Sequence, residues 1–342
     1  MKAVIRLILS LLLFNAHYSV IASQCSDVFP DGASTHSAGG TISFGSNAQV
    51  IDSKDNILFT TTISKNLGSS KNTCNTADCV ATGSPSYPAA SVSFETTTST
   101  VDVSVGFKED AVVGGVENPG YEFNDINPGS ASQASITFSD THSEYFVDRL
   151  VMGFKNTLYL QAGATYWINQ FNLGSQAKII VLGNGTARVY VNQSITFPSN
   201  GLTNSPSIKN SGDASKLVMY VFADVTLNSN STFSGSLYTE GDLTLISSSY
   251  VFGTASSANI QLDSNSTITF QNDEVAETDF GAICSNNVMP VAEYRFEESD
   301  WDGTTNEIID NSGNGFHGQV LANSQPELFS PALTGDLGTC GY

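Results

Sequence analysis

Cationic side chains are scarce in this chain. Thirteen Lys and Arg stand against 33 Asp and Glu over 342 residues, a formal net charge of −20. That balance repels polyphosphates and anionic lipid headgroups, so it argues against a nucleic-acid partner and against adhesion to an anionic membrane. It favours solubility and divalent cations. Histidine is thinly spread as well: none occurs between His142 and His317, so the middle of the chain lacks the side chain most used for proton transfer near neutral pH. Long apolar runs are also missing. The run from Leu7 to Phe14, broken by Ser10, is shorter than the ~20 residues a membrane-spanning helix needs, and no transmembrane span is expected. Helical periodicity of useful length is absent, which points to an all-β chain.

What is present begins with an export signal. Lys2 and Arg6 precede the apolar run, and Val20-Ile21-Ala22 places small residues before a cut near Ser23. The mature chain is therefore expected outside the cytoplasm, at the cell surface, in the medium or in the periplasm. Five cysteines suit an oxidising compartment: Cys25, Cys74, Cys79, Cys284 and Cys340. Cys74 and Cys79 are close enough in sequence to staple one loop. Of the other three, Cys284 is expected to pair with Cys340, leaving Cys25 free or competing for Cys284.

Between Lys216 and Phe270 one pattern comes round three times. Val225-Thr226-Leu227, Leu243-Thr244-Leu245 and Ile260-Gln261-Leu262 each flank one polar residue with two apolar ones, and serine-rich corners follow. A unit this short cannot bury a face alone and must stack on its neighbours, which predicts a parallel, right-handed β-solenoid. Leu227, Leu245 and Leu262 are expected in one interior column. Residues 144–279 are assigned to the solenoid, preceded by a β-rich region or solenoid cap over residues 24–143 and a signal peptide over residues 1–23. The run Ile179-Ile180-Val181-Leu182 suggests a strand covered on both sides, and Ser199 to Ser215 reads as a loop bulging from one coil.

After Cys284 the character changes. Val291 to Phe296 alternates as a strand, and Asp310-Asn311-Ser312-Gly313-Asn314-Gly315 is a strong turn signal. This segment looks like the opening of a concanavalin-A-like jelly roll of the laminin-G type. Residues 280–342 are too few to close such a sandwich, which needs roughly 100 residues, so a linker and an incomplete domain are expected.

No catalytic residues are assigned. Hydrolysis of a glycosidic bond needs paired carboxylates, and lyase chemistry on uronic acids needs a cationic base. Asp224 and Asp242 fall one coil apart, roughly 5 Å if they sit on adjacent strands, a spacing open to a carboxylate pair or to calcium ligands. Capping of backbone N–H groups at strand starts is the competing role. Asp300, Asp302 and Asp310 invite a similar calcium reading. No other cofactor is implied.

The order of parts resembles the N-terminal region of the MshQ family of MSHA (mannose-sensitive haemagglutinin) pilus biogenesis proteins. The resemblance rests on the signal peptide, Cys25 with Phe29-Pro30-Asp31-Gly32, the Cys74 and Cys79 pair, the Asp-Val-Thr-Leu and Asp-Leu-Thr-Leu rungs, and the segment from Tyr294 to Gly318. It implies an exported, non-catalytic structural or adhesive surface protein whose partners are pilus or cell-surface components and surface glycans. A polysaccharide-active β-helix enzyme and a carbohydrate-binding module are the alternatives.

Overall fold

The computed structural model describes residues 25–65, 73–75, 77–128 and 132–284, and the backbone of two short strands, Leu328–Phe329 and Cys340–Gly341. The chain divides into two units at Cys284 and Ser285. The first is a parallel β-solenoid. In the second, the two short strands pair antiparallel; the jelly-roll reading and Asp300, Asp302 and Asp310 lie outside the described residues, as does the signal peptide.

One corner recurs in coil after coil and sets the stacking order. Lys108, Gln133, Lys155, Gln176, Asn200, Asn230, Ser248, Asn265 and Asn47 all have φ between 57 and 61°, the left-handed region that Asn tolerates better than most side chains. The backbone N–H of each of the first eight donates to the carbonyl just before the next corner in this order, at 2.9 to 3.4 Å. The acceptors are Ser132, Phe154, Ser175, Ser199, Ser229, Ser247, Ser264 and finally Ser46. After every corner but Lys108 the next residue is buried, and at three coils its hydroxyl donates to a carbonyl of the preceding coil: Ser231 to Pro198, Ser249 to Leu227 and Ser266 to Leu245. Buried polar atoms are thereby satisfied at a point where no ladder runs.

This order differs from chain order. After Asn265 the next corner is Asn47, so the N-terminal strands Ala33–Thr35, Thr41–Phe44 and Gln49–Ile51 form the coil that follows the last repeat. Their registers are Ser34 opposite Ser256, Ser43 opposite Gln261 and Val50 opposite Ile268. A further turn carries Thr62–Lys65 against Thr41–Phe44 and brings Cys74 beside Val50, with Cys74 and Cys79 joined in a disulfide. The chain then runs back along the outside of the stack. Ser86 N–H donates to Thr35 O, Ala89 N–H to Tyr238 Oη, and Ser99 Oγ to Glu122 O, and the first coil at the opposite end begins with Asp102–Ser104. Val92-Ser93-Phe94 therefore belongs to this strap and not to a sheet. The region expected as one N-terminal block, residues 24–143, is divided between the two ends of the solenoid and the strap between them.

The disulfide expectation for Cys284 is corrected. Cys25 and Cys284 are bonded, with Cα atoms 5.3 Å apart and a sequence separation of 259, in place of Cys284 with Cys340. The reason is the stacking order: the N-terminal coil sits on the last repeat, so the entering and leaving chain segments meet on one outer wall.

Two sheets build the solenoid walls, and Ile57–Leu58 pairs separately with Val80–Ala81. A 16-stranded sheet supplies two walls, and the six-stranded sheet, Ile195–Phe197, Val225–Leu227, Leu243–Leu245, Ile260–Leu262, Thr41–Phe44 and Thr62–Lys65, supplies the third. Strands Thr232–Thr239 and Tyr250–Ser257 each serve two walls by bending at Gly235 and Gly253, which lie opposite each other with φ 154 and 120°. A Cβ on Gly253 would sit 2.1 Å from the Gly235 carbonyl oxygen, so only glycine fits this bend. Leu227 pairs with Leu245 and Leu245 with Leu262, all fully buried. In Lys178–Leu182 only Ile179 and Val181 are buried, so that strand has one covered face. Covering on both faces belongs instead to Leu217–Val221, buried throughout, because the strap and the exit segment lie across its outer side.

Candidate functional site

Asp224 and Asp242 lie one coil apart at the entrance to the six-stranded wall. Asp242 N–H donates to Asp224 Oδ1 at 2.9 Å, and Asn259 Nδ2 donates to Asp242 Oδ1 at 2.8 Å. Asn259 Oδ1 in turn accepts from Thr41 N–H at 3.0 Å. The column Asp224, Asp242, Asn259 thus hands one side-chain oxygen to the next coil at each step: Asp224 and Asn259 cap a backbone N–H, and Asp242 between them accepts from the Asn259 side chain. Among the described residues no group of three or more His, Cys, Asp or Glu side chains gathers as a metal site. Capping predicts that Asp224→Ala costs about 1 kcal/mol of stability, measured by chemical denaturation with and without calcium, with no calcium dependence of the difference.

The outer side of the wall built by Leu217–Val221 carries an aromatic column that sequence reading did not single out. Trp167 stacks on Tyr190 at 4.2 Å, Tyr220 on Tyr238 at 4.8 Å and His36 on Tyr238 at 4.9 Å between ring centres. The sequence signal is aromatics at Trp167, Tyr190, Tyr220 and Tyr238 in equivalent strands, each opposite the next in register. The column is a docking surface for the molecule's own segments. Phe94 of the strap packs edge-on to Trp167 and Phe222, Phe29 stacks on Phe280, and Arg188 Nη1 donates to Asp279 Oδ2 at 2.6 Å.

Asp31 lies buried at the junction between the N-terminal coil and the last repeat, 1% exposed. Its Oδ1 accepts from Gly32 N–H at 2.6 Å and its Oδ2 from Lys54 N–H at 3.1 Å. Burial pushes its pKa up to about 7, against the opposing pull of those two hydrogen bonds. A folded value above the unfolded 3.8 means that the contribution to stability is fully present below pH 3.8 and is lost as pH rises through about 7. Each pH unit of that window is worth ~1.4 kcal/mol. Asp31→Asn is therefore expected to gain up to about 4 kcal/mol on the wild type between pH 4 and pH 8. Urea unfolding at a series of pH values measures this, and parallel pH profiles would contradict it.

A groove of about 550 Å³ opens in the surface where one wall is split. Thr165–Leu173 pairs with Ala187–Val191 only as far as Ile168 and Val191. Ile195–Phe197, next along, is the edge strand of the six-stranded sheet and pairs only with Val225–Leu227. The split is pinned at both ends, by Gln193 N–H to Asn169 O at 3.2 Å and by Gln176 N–H to Ser199 O at 3.3 Å. Ile195 N–H donates to Asp224 O and Phe197 O accepts from Asn228 N–H. The alternation of a parallel ladder then turns the backbone groups of Ser194 and Thr196 into the groove. Gly174 N–H donates to Met152 O, which by the same alternation turns those of Phe171 and Leu173 toward the groove from the other side.

Fold and surface together define a parallel β-solenoid with a permuted stacking order, a self-covered aromatic wall and one split wall. Over residues 130–278 the sequence matches the family described as Domain of unknown function (DUF7305). The match takes in the coils from Ser135–Phe138 through Thr267–Phe270 and the short helix Asn272–Ala276, and leaves out the N-terminal coils and the strap. No curated protein and no solved structure matches the chain.

Proposed function

We propose that this chain is an exported, non-catalytic structural or adhesive protein of the cell surface, in which the solenoid is a rigid body presented to pilus components or other surface partners. The observation that carries the reading is the covalent and topological locking of the solenoid. The N-terminal coils extend the last repeat, the strap returns along the whole stack, and Cys25–Cys284 fastens the entering and leaving segments together. Such locking suits a body that must keep its shape in an oxidising exterior. The signal-like N-terminus supports export, and no helix among the described residues is long and apolar enough to cross a membrane. The resemblance to the MshQ family supports the association with type IV pilus biogenesis.

The acidic column argues in the same direction, since Asp224 caps the Asp242 N–H and Asp242 accepts from the Asn259 side chain. Two experiments test the proposal. Protease accessibility on intact expressing cells is expected to place the solenoid outside; protection until lysis would contradict surface exposure. Incubation of the purified protein with acidic and neutral polysaccharides is expected to release no product, and release abolished by Asp224→Asn or Asp242→Asn would overturn the non-catalytic reading in favour of a β-helix enzyme.

A further inference from the structure

We infer that the split wall is a binding site for a neutral saccharide, an inference that deepens the adhesive reading above and rests on it. Three features of the groove select this class of ligand. First, it offers backbone N–H and C=O groups that no strand pairing engages, from Phe171 and Leu173 on one side and Ser194 and Thr196 on the other. Groups of this kind seek hydrogen-bond partners. A sugar ring carries hydroxyls that both donate and accept, so it matches a rim of mixed backbone donors and acceptors. Second, the side chains on the rim are neutral and short: Asn172, Ser175, Ser194, Thr196 and Asn228, with no Lys, Arg, Asp or Glu lining the groove. A charged ligand finds no counter-charge here, and an anionic one meets a chain of net charge −20. Third, the groove has an apolar patch. Half-buried Leu173 supplies it and can meet the C–H face of a pyranose, while Phe171 and Met152 lie beneath, buried in the core. Polar groups around an apolar patch, at a volume within the usual ~300–1,000 Å³ of ligand sites, are the make-up of a small-molecule pocket.

The geometry also separates a sugar from a peptide. Adding a strand would require the two flanking strands to stand two strand spacings apart, roughly 9.6 Å, along the length of the insert. The split closes onto ladder hydrogen bonds at Asn169 with Gln193 and at Gln176 with Ser199, which leaves a short lens and no through-running slot. A compact ring fits that outline, and the open outer side leaves room for the rest of an oligosaccharide to run on across the surface.

The test is isothermal titration of the full mature chain with short neutral oligosaccharides of gluco, manno and galacto configuration, with uronic-acid oligomers as the charged arm. Binding to at least one neutral series and none to the uronic acids is expected. Thr196→Trp, which fills the groove from an exposed position, is expected to abolish binding without changing the thermal midpoint. Asn172→Ala and Asn228→Ala are each expected to weaken it roughly threefold to tenfold. Ser64→Trp, on the same wall at the far end of the stack, is the control that leaves affinity unchanged. No binding by any neutral series, tighter binding of uronic acids, or full affinity in Thr196→Trp would overturn the inference. Failure here with surface exposure intact removes the saccharide site and leaves the structural reading standing, whereas saccharide binding by a protein protected inside cells would do the reverse.

Discussion

Leu245→Asp is expected to prevent the solenoid from folding, whereas Thr244→Asp, one residue away, is expected to be almost silent. Leu245 is fully buried between Leu227 and Leu262 in the interior column. An unpaired carboxylate there has no hydrogen-bond donor to meet it, and desolvation of such a group costs several kcal/mol. The lost apolar burial and the cavity add about 2–5 kcal/mol, the range for replacing a buried leucine by a small residue. Together these reach the ~5–15 kcal/mol that keep an ordinary domain folded. Thr244 points outward from the same three-residue strand, and a surface change of this kind stays within about 0.5 kcal/mol. Far-UV circular dichroism and urea unfolding of the two variants measure the contrast. Leu245→Ala gives the graded version, a loss of about 2–5 kcal/mol with the fold retained. Equal tolerance at the two positions would contradict the assignment of inside and outside.

The second large effect is expected at Cys25→Ser. The bond it removes closes a loop of 259 residues, and in the chain-entropy account loops beyond ~100 residues confer about 5 kcal/mol. Measured losses for native disulfides run from about 2 to 5 kcal/mol, which for a body of this size is a fall of roughly 4–10 °C in thermal midpoint. Loss of the bond also frees the segment that seats Phe29 against Phe280 and Tyr238. The strap and the exit segment should therefore exchange amide hydrogens faster than the interior strands do. Cys74→Ser, which opens a loop of only five residues, is expected to perturb its own turn and leave the rest of the stack protected. Hydrogen exchange read by mass spectrometry separates the two. A Cys25→Ser protein with unchanged midpoint and unchanged protection around Phe29 and Phe280 would show that the lock carries no stability.

The strand type, the parallel class and the interior column were legible because they depend on local alternation. In Val225-Thr226-Leu227 and its two repeats the apolar residues face in and the polar one faces out, and stacking follows from the 18- and 17-residue offsets between paired residues. The stacking order was hidden for the opposite reason. Ser43 and Gln261 are neighbours 218 residues apart in sequence, and nothing in local periodicity joins positions that far apart. A signal existed at the corners: Ser46-Asn47-Ala48 has the same shape as Ser264-Asn265-Ser266 and Ser229-Asn230-Ser231, because each must place a left-handed residue between a carbonyl that accepts and a small side chain that points inward. Reading that motif as a corner, and not as generic serine-rich sequence, would have placed the N-terminal coil in the repeat and with it the partner of Cys25.

The acidic pair shows the same limit from the side of chemistry. The spacing of Asp224 and Asp242 is that of adjacent strands, but spacing does not say whether a carboxylate faces solvent or the next coil, and here Asp224 faces the next coil's backbone and Asp242 its Asn259 side chain. The split wall had no sequence signal. It arises where Ile195–Phe197 leaves the sheet built by Thr165–Leu173 to begin the six-stranded wall, a change in three-dimensional pairing that alternation along either strand does not record.

The central claim is that the N-terminal strands sit on the last repeat and not beside the coils that follow them in sequence. Oxidative cross-linking of paired cysteines tests it most directly. Ser43→Cys with Gln261→Cys places two outward-facing residues directly opposite on adjacent parallel strands, about 4.8 Å apart. Ser43→Cys with Thr226→Cys places them three strands apart, roughly 14 Å. Efficient disulfide formation in the first pair and none in the second is the predicted result. A folded protein in which Ser43→Cys fails to link to Gln261→Cys, or links equally well to Thr226→Cys, would contradict the stacking order.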